Sequence, residues 1–128
     1  MFKKNVSKPI DIGQQEISTI IGEDFILNGQ VEGKAVIRID GQVIGNVKVG
    51  AGIILGEKSI VTGDIETKSA IIYGTVTGNV KVNHLEIKKT GKVNGDIKTE
   101  TLEIELGAQY NGKLEMKQLI SGEEKVKA

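Results

Sequence analysis

The chain has 128 residues, with 17 Lys and Arg against 17 Asp and Glu, so its formal net charge is zero; one domain is expected, and a nucleic-acid binder working through a bulk positive field is excluded. The absence of Cys and the single His leave no disulfide, thiolate metal site or multi-histidine centre, so no metal or other cofactor is expected. No unbroken apolar run exceeds a few residues, so no segment reads as a membrane-spanning helix.

Residues 1–18 read as an N-terminal tail. Met1-Phe2-Lys3-Lys4 carries positive charge with no apolar stretch behind it, unlike a secretory signal, and the expected address is the cytosol. The stretch from Ile10 to Gly22 is too short and irregular for an amphipathic helix. Residues 19–120 form the patterned domain, and the polar residues 121–128 read as a disordered C-terminal tail. Twelve Val and 19 Ile against 7 Leu favour strands over helices. Aromatics make up 3% of the chain, so the core must close with aliphatic side chains. The one proline, Pro9, precedes the patterned region, so no strand there loses a ladder donor.

The patterned region is an internal repeat. GQVEGKA from Gly29, GQVIGNVKV from Gly41, SIVTGDIET from Ser59, GTVTGNVKV from Gly74, GKVNGDIKT from Gly91 and AQYNGKLEM from Ala108 share one pattern. Its glycines are Gly33, Gly45, Gly63, Gly78, Gly95 and Gly112, spaced by 12, 18, 15, 17 and 17 residues. Val76, Val80, Leu85 and Ile87 align over Val93, Ile97, Leu102 and Ile104. Three short strands with corners between them make one coil of an all-β solenoid, and about six coils stack into a rod on the order of 30 Å long. Asn46, Asp64, Asn79 and Asp96 fall into one outward ladder; Lys48, Glu66, Lys81, Lys98 and Glu115 fall into another. A sandwich of hairpins is the alternative, but it calls for units of 8–12 residues.

A solenoid exposes unpaired backbone and apolar cross-section at each end unless capped, and the sequence offers no convincing cap. Phe25, Leu27 and Val31 lie in the first coil, and Tyr110, Leu114, Met116 and Leu119 in the last. Stacking of these ends on other copies would give a filament, or a closed pair if the contact is isologous. The alternative is that residues 10–22 fold over one end and limit assembly to a dimer.

Several motifs imitate chemistry. Gly107 to Lys113 fits part of a phosphate loop, but Leu114 stands where Ser or Thr would hold Mg²⁺ and no helix follows, so no nucleotide is expected. Gly50 to Gly56 is one residue off a dinucleotide fingerprint and also lacks its helix. His84 raises the alternative of a solenoid acyltransferase, but such enzymes keep a strict six-residue strand period that units of 15 and 17 break. Ile44, Ile54, Ile60 and Ile71 all read as outward-pointing, which makes them a candidate patch for lateral filament pairing or a client protein, unless the register of the unequal coils is misaligned.

The stretch IGEDFILNGQVEGKAVIRIDGQVIGNV, the recurring G-x-V-x-G-[ND]-[VI] units and the closing LGAQYNGKLEM resemble the bactofilin family, over about Thr19 to Gln118. The resemblance implies a right-handed, three-sided parallel β-helix that polymerises end to end without nucleotide into non-polar filaments. It implies a cytoplasmic scaffold, not an enzyme, at the inner face of the cell membrane. Such a scaffold organises cell-shape, cell-wall or motility proteins. An aromatic residue in the family's final coil is an interface residue, and Tyr110 occupies its place. The family also offers a membrane-targeting tail, which Met1, Phe2, Lys3 and Lys4, with Lys8 following, resemble. A discrete solenoid binding module that does not polymerise is the remaining alternative.

Overall fold

Alternating β-branched and polar residues give short strands, and Gly-Asn and Gly-Asp steps turn the chain between them. The computed structural model describes residues 17–116, whose regular structure is all strand. Sheet A holds Ile17–Ile21, Val36–Ile39, Gly52–Leu55, Ser69–Ile72, His84–Ile87 and Thr101–Ile104. Sheet B holds Ile26–Asn28, Gln42–Ile44, Ile60–Thr62, Thr75–Thr77, Lys92–Asn94 and Gln109–Asn111. Sheet C holds Val31–Gly33, Val47–Val49, Ile65–Glu66, Val80–Lys81, Ile97–Thr99 and Leu114–Met116. Each coil gives one strand to each sheet, and every strand pairs in parallel with its counterparts in neighbouring coils. This is the three-sided solenoid of six coils expected from the repeat. Hairpins would have paired antiparallel, so the sandwich is excluded.

The register from coil 2 onward follows the aligned repeat: Val76 pairs with Val93, Leu85 with Leu102 and Ile87 with Ile104. The first coil departs from it. Its corner glycine is Gly29, not Gly33. Gly29, Gly45, Gly63, Gly78, Gly95 and Gly112 all have positive φ, at spacings of 16, 18, 15, 17 and 17 residues. Gly33 instead ends a strand of sheet C and pairs with Val49. Gly29-Gln-Val-Glu-Gly33 imitates the motif from the wrong starting point, and Gln30 stands where coils 2 to 5 place Asn or Asp. The first strand also begins at Ile17, two residues before the expected domain start. A register shift between Ile17 and Thr19 interrupts its alternation and hides it from a period-two reading.

Inside the rod the same kind of side chain stacks coil upon coil. One column runs Leu27, Val43, Val61, Val76, Val93 and Tyr110. Another runs Ile21, Ile39, Leu55, Ile72, Ile87 and Ile104. Ile39, Leu55, Ile72 and Ile87 are wholly buried. Ile72→Ala should therefore cost about 2–5 kcal/mol, because a wall of parallel strands cannot collapse into the space left; chemical denaturation measures the loss.

The expected Asn/Asp ladder is present and is hydrogen-bonded. The backbone N–H of Asp64 donates to Asn46 Oδ1 at 2.9 Å, that of Asn79 to Asp64 Oδ1 at 3.0 Å, that of Asp96 to Asn79 Oδ1 at 3.1 Å and that of Lys113 to Asp96 Oδ1 at 3.2 Å. Each short side chain thus holds the next corner in step with its own. The charged column on sheet C is in the expected register, Lys48 to Glu66 to Lys81 to Lys98 to Glu115. Its Lys98–Glu115 step closes to 4.0 Å between exposed groups, so it stabilises little.

Candidate assembly surfaces at the two ends of the rod

The core columns do not stop at a lid at either end of the described chain. At the N-terminal end, Leu27 and Val31 are the last inward residues of their columns and are only partly buried, whereas Val43 and Val47 one coil inside are sealed. At the other end Leu102, Tyr110 and Leu114 are likewise partly buried over a sealed layer of Leu85, Val93 and Ile97. Ile17–Ile21, Ile26–Asn28 and Val31–Gly33 are sheet edges at one end; Thr101–Ile104, Gln109–Asn111 and Leu114–Met116 are edges at the other. Among the described residues each end therefore presents three unpaired strand edges around an apolar cross-section, the combination that accepts a further coil from another molecule.

The expected interface residues occupy these ends. Leu27, Tyr110, Leu114 and Met116 point along the core columns, while Phe25 sits at the rim of the first coil, exposed at a corner beside Gly22. Leu119 lies outside the described residues, as do Met1, Phe2, Lys3, Lys4 and Lys8. Tyr110 replaces the valine of its column with a larger ring. Its hydroxyl is buried without a well-formed hydrogen bond; burial, then the nearby Asp96 carboxylate, push its phenol above the ordinary value, against a weaker opposing pull from the Ile97 backbone. Two further residues at this end were not singled out from the sequence. Ile104 ends an inward column and is exposed, and Leu106 is 94% exposed. The signal for Leu106 was present: it stands 17 residues after Lys89, a leucine where the preceding coil has a charge.

The four outward isoleucines do not form one patch. Ile44 and Ile60 lie exposed on sheet B, whereas Ile54 and Ile71 lie on sheet A. The outward register of Ile54, Ile71, Glu86 and Glu103 is as read from the repeat, so no misalignment is involved. Yet Ile54 is only 8% exposed. Alternation gives the direction of a side chain but not what lies over it. His84 is half-buried in sheet A, with Nδ1 2.7 Å from Thr101 Oγ1. Among the described residues no group of three or more metal-ligating side chains is gathered, and no helix is long and apolar enough to cross a membrane.

Comparison with known proteins agrees with this geometry. Residues 19–115 match the family model described as "Bactofilin: Polymer-forming cytoskeletal". The chain is 32% identical over 63 residues to bactofilin BacO of Myxococcus xanthus, covering 49% of this chain and 50% of BacO. It is 24% identical over 87 residues to bactofilin BacP of the same organism, covering 67% of this chain and 36% of BacP. The chain thus spans half or less of the curated relatives it matches. Among solved structures it is similar to the Thermus thermophilus bactofilin in a cryo-EM reconstruction of double helical filaments. There the TM-score is 0.71 at 30% identity, over 76% of this chain and 99% of that one. It is also similar to the cytoskeletal bactofilin BacA studied by solid-state NMR, with TM-score 0.73 at 30% identity over 81% of this chain and all of that one. A six-coil rod and a family match running from its first coil to its last lead to one assignment: the chain belongs to the bactofilin family of polymer-forming cytoskeletal proteins.

Proposed function

We propose that this chain is a structural scaffold that assembles end to end, without nucleotide, into filaments. The observation that carries the reading is the pair of terminal coils: among the described residues both ends combine open parallel edges with an unsealed aliphatic core. The family resemblance adds that like ends meet like ends, so that the filament has no overall direction. The double helical filaments of the Thermus thermophilus relative support lateral pairing of such strands. The tail with Met1, Phe2, Lys3, Lys4 and Lys8 supports a location at the inner face of the cytoplasmic membrane. Each lysine near an anionic surface contributes about 1 kcal/mol and a buried Phe about 2 kcal/mol. One tail alone binds marginally; a filament bearing many binds firmly. In that position the polymer would organise cell-shape, cell-wall or motility proteins, a role for which no enzymatic group is required.

Purified protein in nucleotide-free buffer should show filaments by negative-stain electron microscopy, and these should float with phosphatidylglycerol vesicles. A sharp single-copy species at high concentration would overturn the scaffold and favour a discrete binding module. Filaments that ignore the vesicles would overturn only the membrane assignment.

A further inference from the structure

The chain has three Asn-Gly steps, Asn28-Gly29, Asn94-Gly95 and Asn111-Gly112. Each asparagine ends a strand of sheet B, and each glycine opens the corner that follows with positive φ. All three asparagines are exposed. What separates them is the glycine nitrogen. The N–H of Gly29 donates to the Ile44 carbonyl and that of Gly95 to the Asn111 carbonyl, both at 2.9 Å and both forward into the next coil. Gly45, Gly63 and Gly78 donate forward in the same way. At Gly112 the forward direction is the C-terminal end of the rod, and among the described residues nothing accepts its N–H. Asn94 pairs with Thr77 on one side and Asn111 on the other, whereas Asn111 pairs with Asn94 alone. Asn28 also lies on a sheet edge, but its glycine donates into the rod.

We propose that Asn111 is a site of spontaneous deamidation, open in the free rod and closed when another coil stacks on the C-terminal end. Water is the only co-reactant. The Gly112 nitrogen gives up its proton and attacks Asn111 Cγ. The new N–Cγ bond closes a five-membered succinimide, the Cγ–Nδ2 bond breaks, and the side-chain amide leaves as ammonia with that proton. Water then opens the ring at either carbonyl, giving aspartate or isoaspartate, in which the main chain runs through the side-chain carbon. Glycine leaves the attacking nitrogen unhindered. The attack turns the Asn-Gly peptide out of its strand. At Gly29 and Gly95 that also breaks a hydrogen bond to the next coil; at Gly112 no such bond is lost. Either product sets a carboxylate beside Tyr110 in the edge strand, and isoaspartate also lengthens the backbone ahead of Leu114. Both oppose stacking, because the charge must be stripped of water in the junction. An end left free thus ages out of the growing pool, while an end within a junction keeps its amide. The protection, though not the site, rests on the end-to-end assembly proposed above.

The full chain, held below its assembly concentration in mildly alkaline buffer, should be digested at intervals and its peptides followed by mass spectrometry. Asn111 should convert to aspartate and isoaspartate at least about ten times faster than Asn28 or Asn94. In urea the three rates should draw together, since the fold and not the local sequence separates them. Equal rates in the folded rod would overturn the site, and so would a lead for Asn111 that persists undiminished in urea. In filaments of the same protein the Asn111 rate should fall by about tenfold or more. An undiminished rate there would overturn the protection and leave the site standing. Asn111→Asp should raise the concentration needed for assembly by about tenfold or more. Assembly of that variant at the concentration of the parent would overturn the ageing of free ends.

Discussion

Tyr110→Arg should leave a folded rod that no longer polymerises. Tyr110 closes the column Leu27–Val43–Val61–Val76–Val93 at the C-terminal end and packs against the core beneath it. At the open end of the rod a longer guanidinium can turn out from the buried site of the Tyr110 hydroxyl into water, but it must lose that water when another coil stacks on top. An unpaired charge in a dry interface costs several kcal/mol. At about 1.4 kcal/mol per factor of ten, the concentration needed for assembly should rise at least a hundredfold. Sedimentation and light scattering read this directly, and an unchanged thermal melt shows that the rod itself survives. Tyr110→Phe separates ring from hydroxyl. Because the hydroxyl is buried without a well-formed hydrogen bond, its removal should preserve assembly or strengthen it. Full polymer from the Arg variant would remove the C-terminal coil from the interface.

A large loss of fold stability should also come from Gly78→Ala. Gly78 has φ of 149°, which L-residues rarely adopt, and a Cβ there would collide with the Gly63 carbonyl oxygen one coil away. The obstacle is backbone held by parallel pairing on both sides, so neither partner can yield without opening the stack. The expected cost is about 3 kcal/mol or more, a fall in melting temperature on the order of 10 °C. Gly29 provides the comparison within the same column. Its φ is also positive, at 129°, but its Cβ would meet nothing within 4 Å because no coil lies beyond it. Gly29→Ala should therefore cost only the backbone strain, about 1–2 kcal/mol. Equal losses at the two sites would mean that φ, and not the stacked carbonyl, sets the requirement for glycine.

The repeat made the rod legible because each coil meets the same constraints. Inward Val and Ile, outward charge and a Gly-polar corner recur wherever a coil has neighbours on both sides. The reading failed at the first coil and where outward side chains pack on one another. Each corner side chain accepts from the coil after it, so the last described coil carries Lys113 in place of Asn or Asp; the first carries Gln30, and Gly33 imitates its corner glycine. Ile17–Ile21 was hidden by its register shift. Ile54 was assigned the right direction and the wrong exposure, because alternation does not report how outward side chains such as Val36, Ala51 and Ile71 pack against one another. At the ends, Tyr110 and Leu114 stood out as departures from the column above them, whereas Ile104, an isoleucine ending a column of Ile and Leu, did not.

The hydrogen bonds of all three sheets run from coil to coil, and so along the length of the rod. A pull on the two tips loads the bonds at each internal level together, with the Asn/Asp corner bonds in parallel. Such an object resists stretching as a bundle of short ropes does, every strand sharing the tension. The junction between molecules is then the place to break, and a strained cable of these units would sever cleanly between intact links and leave tips ready to rejoin.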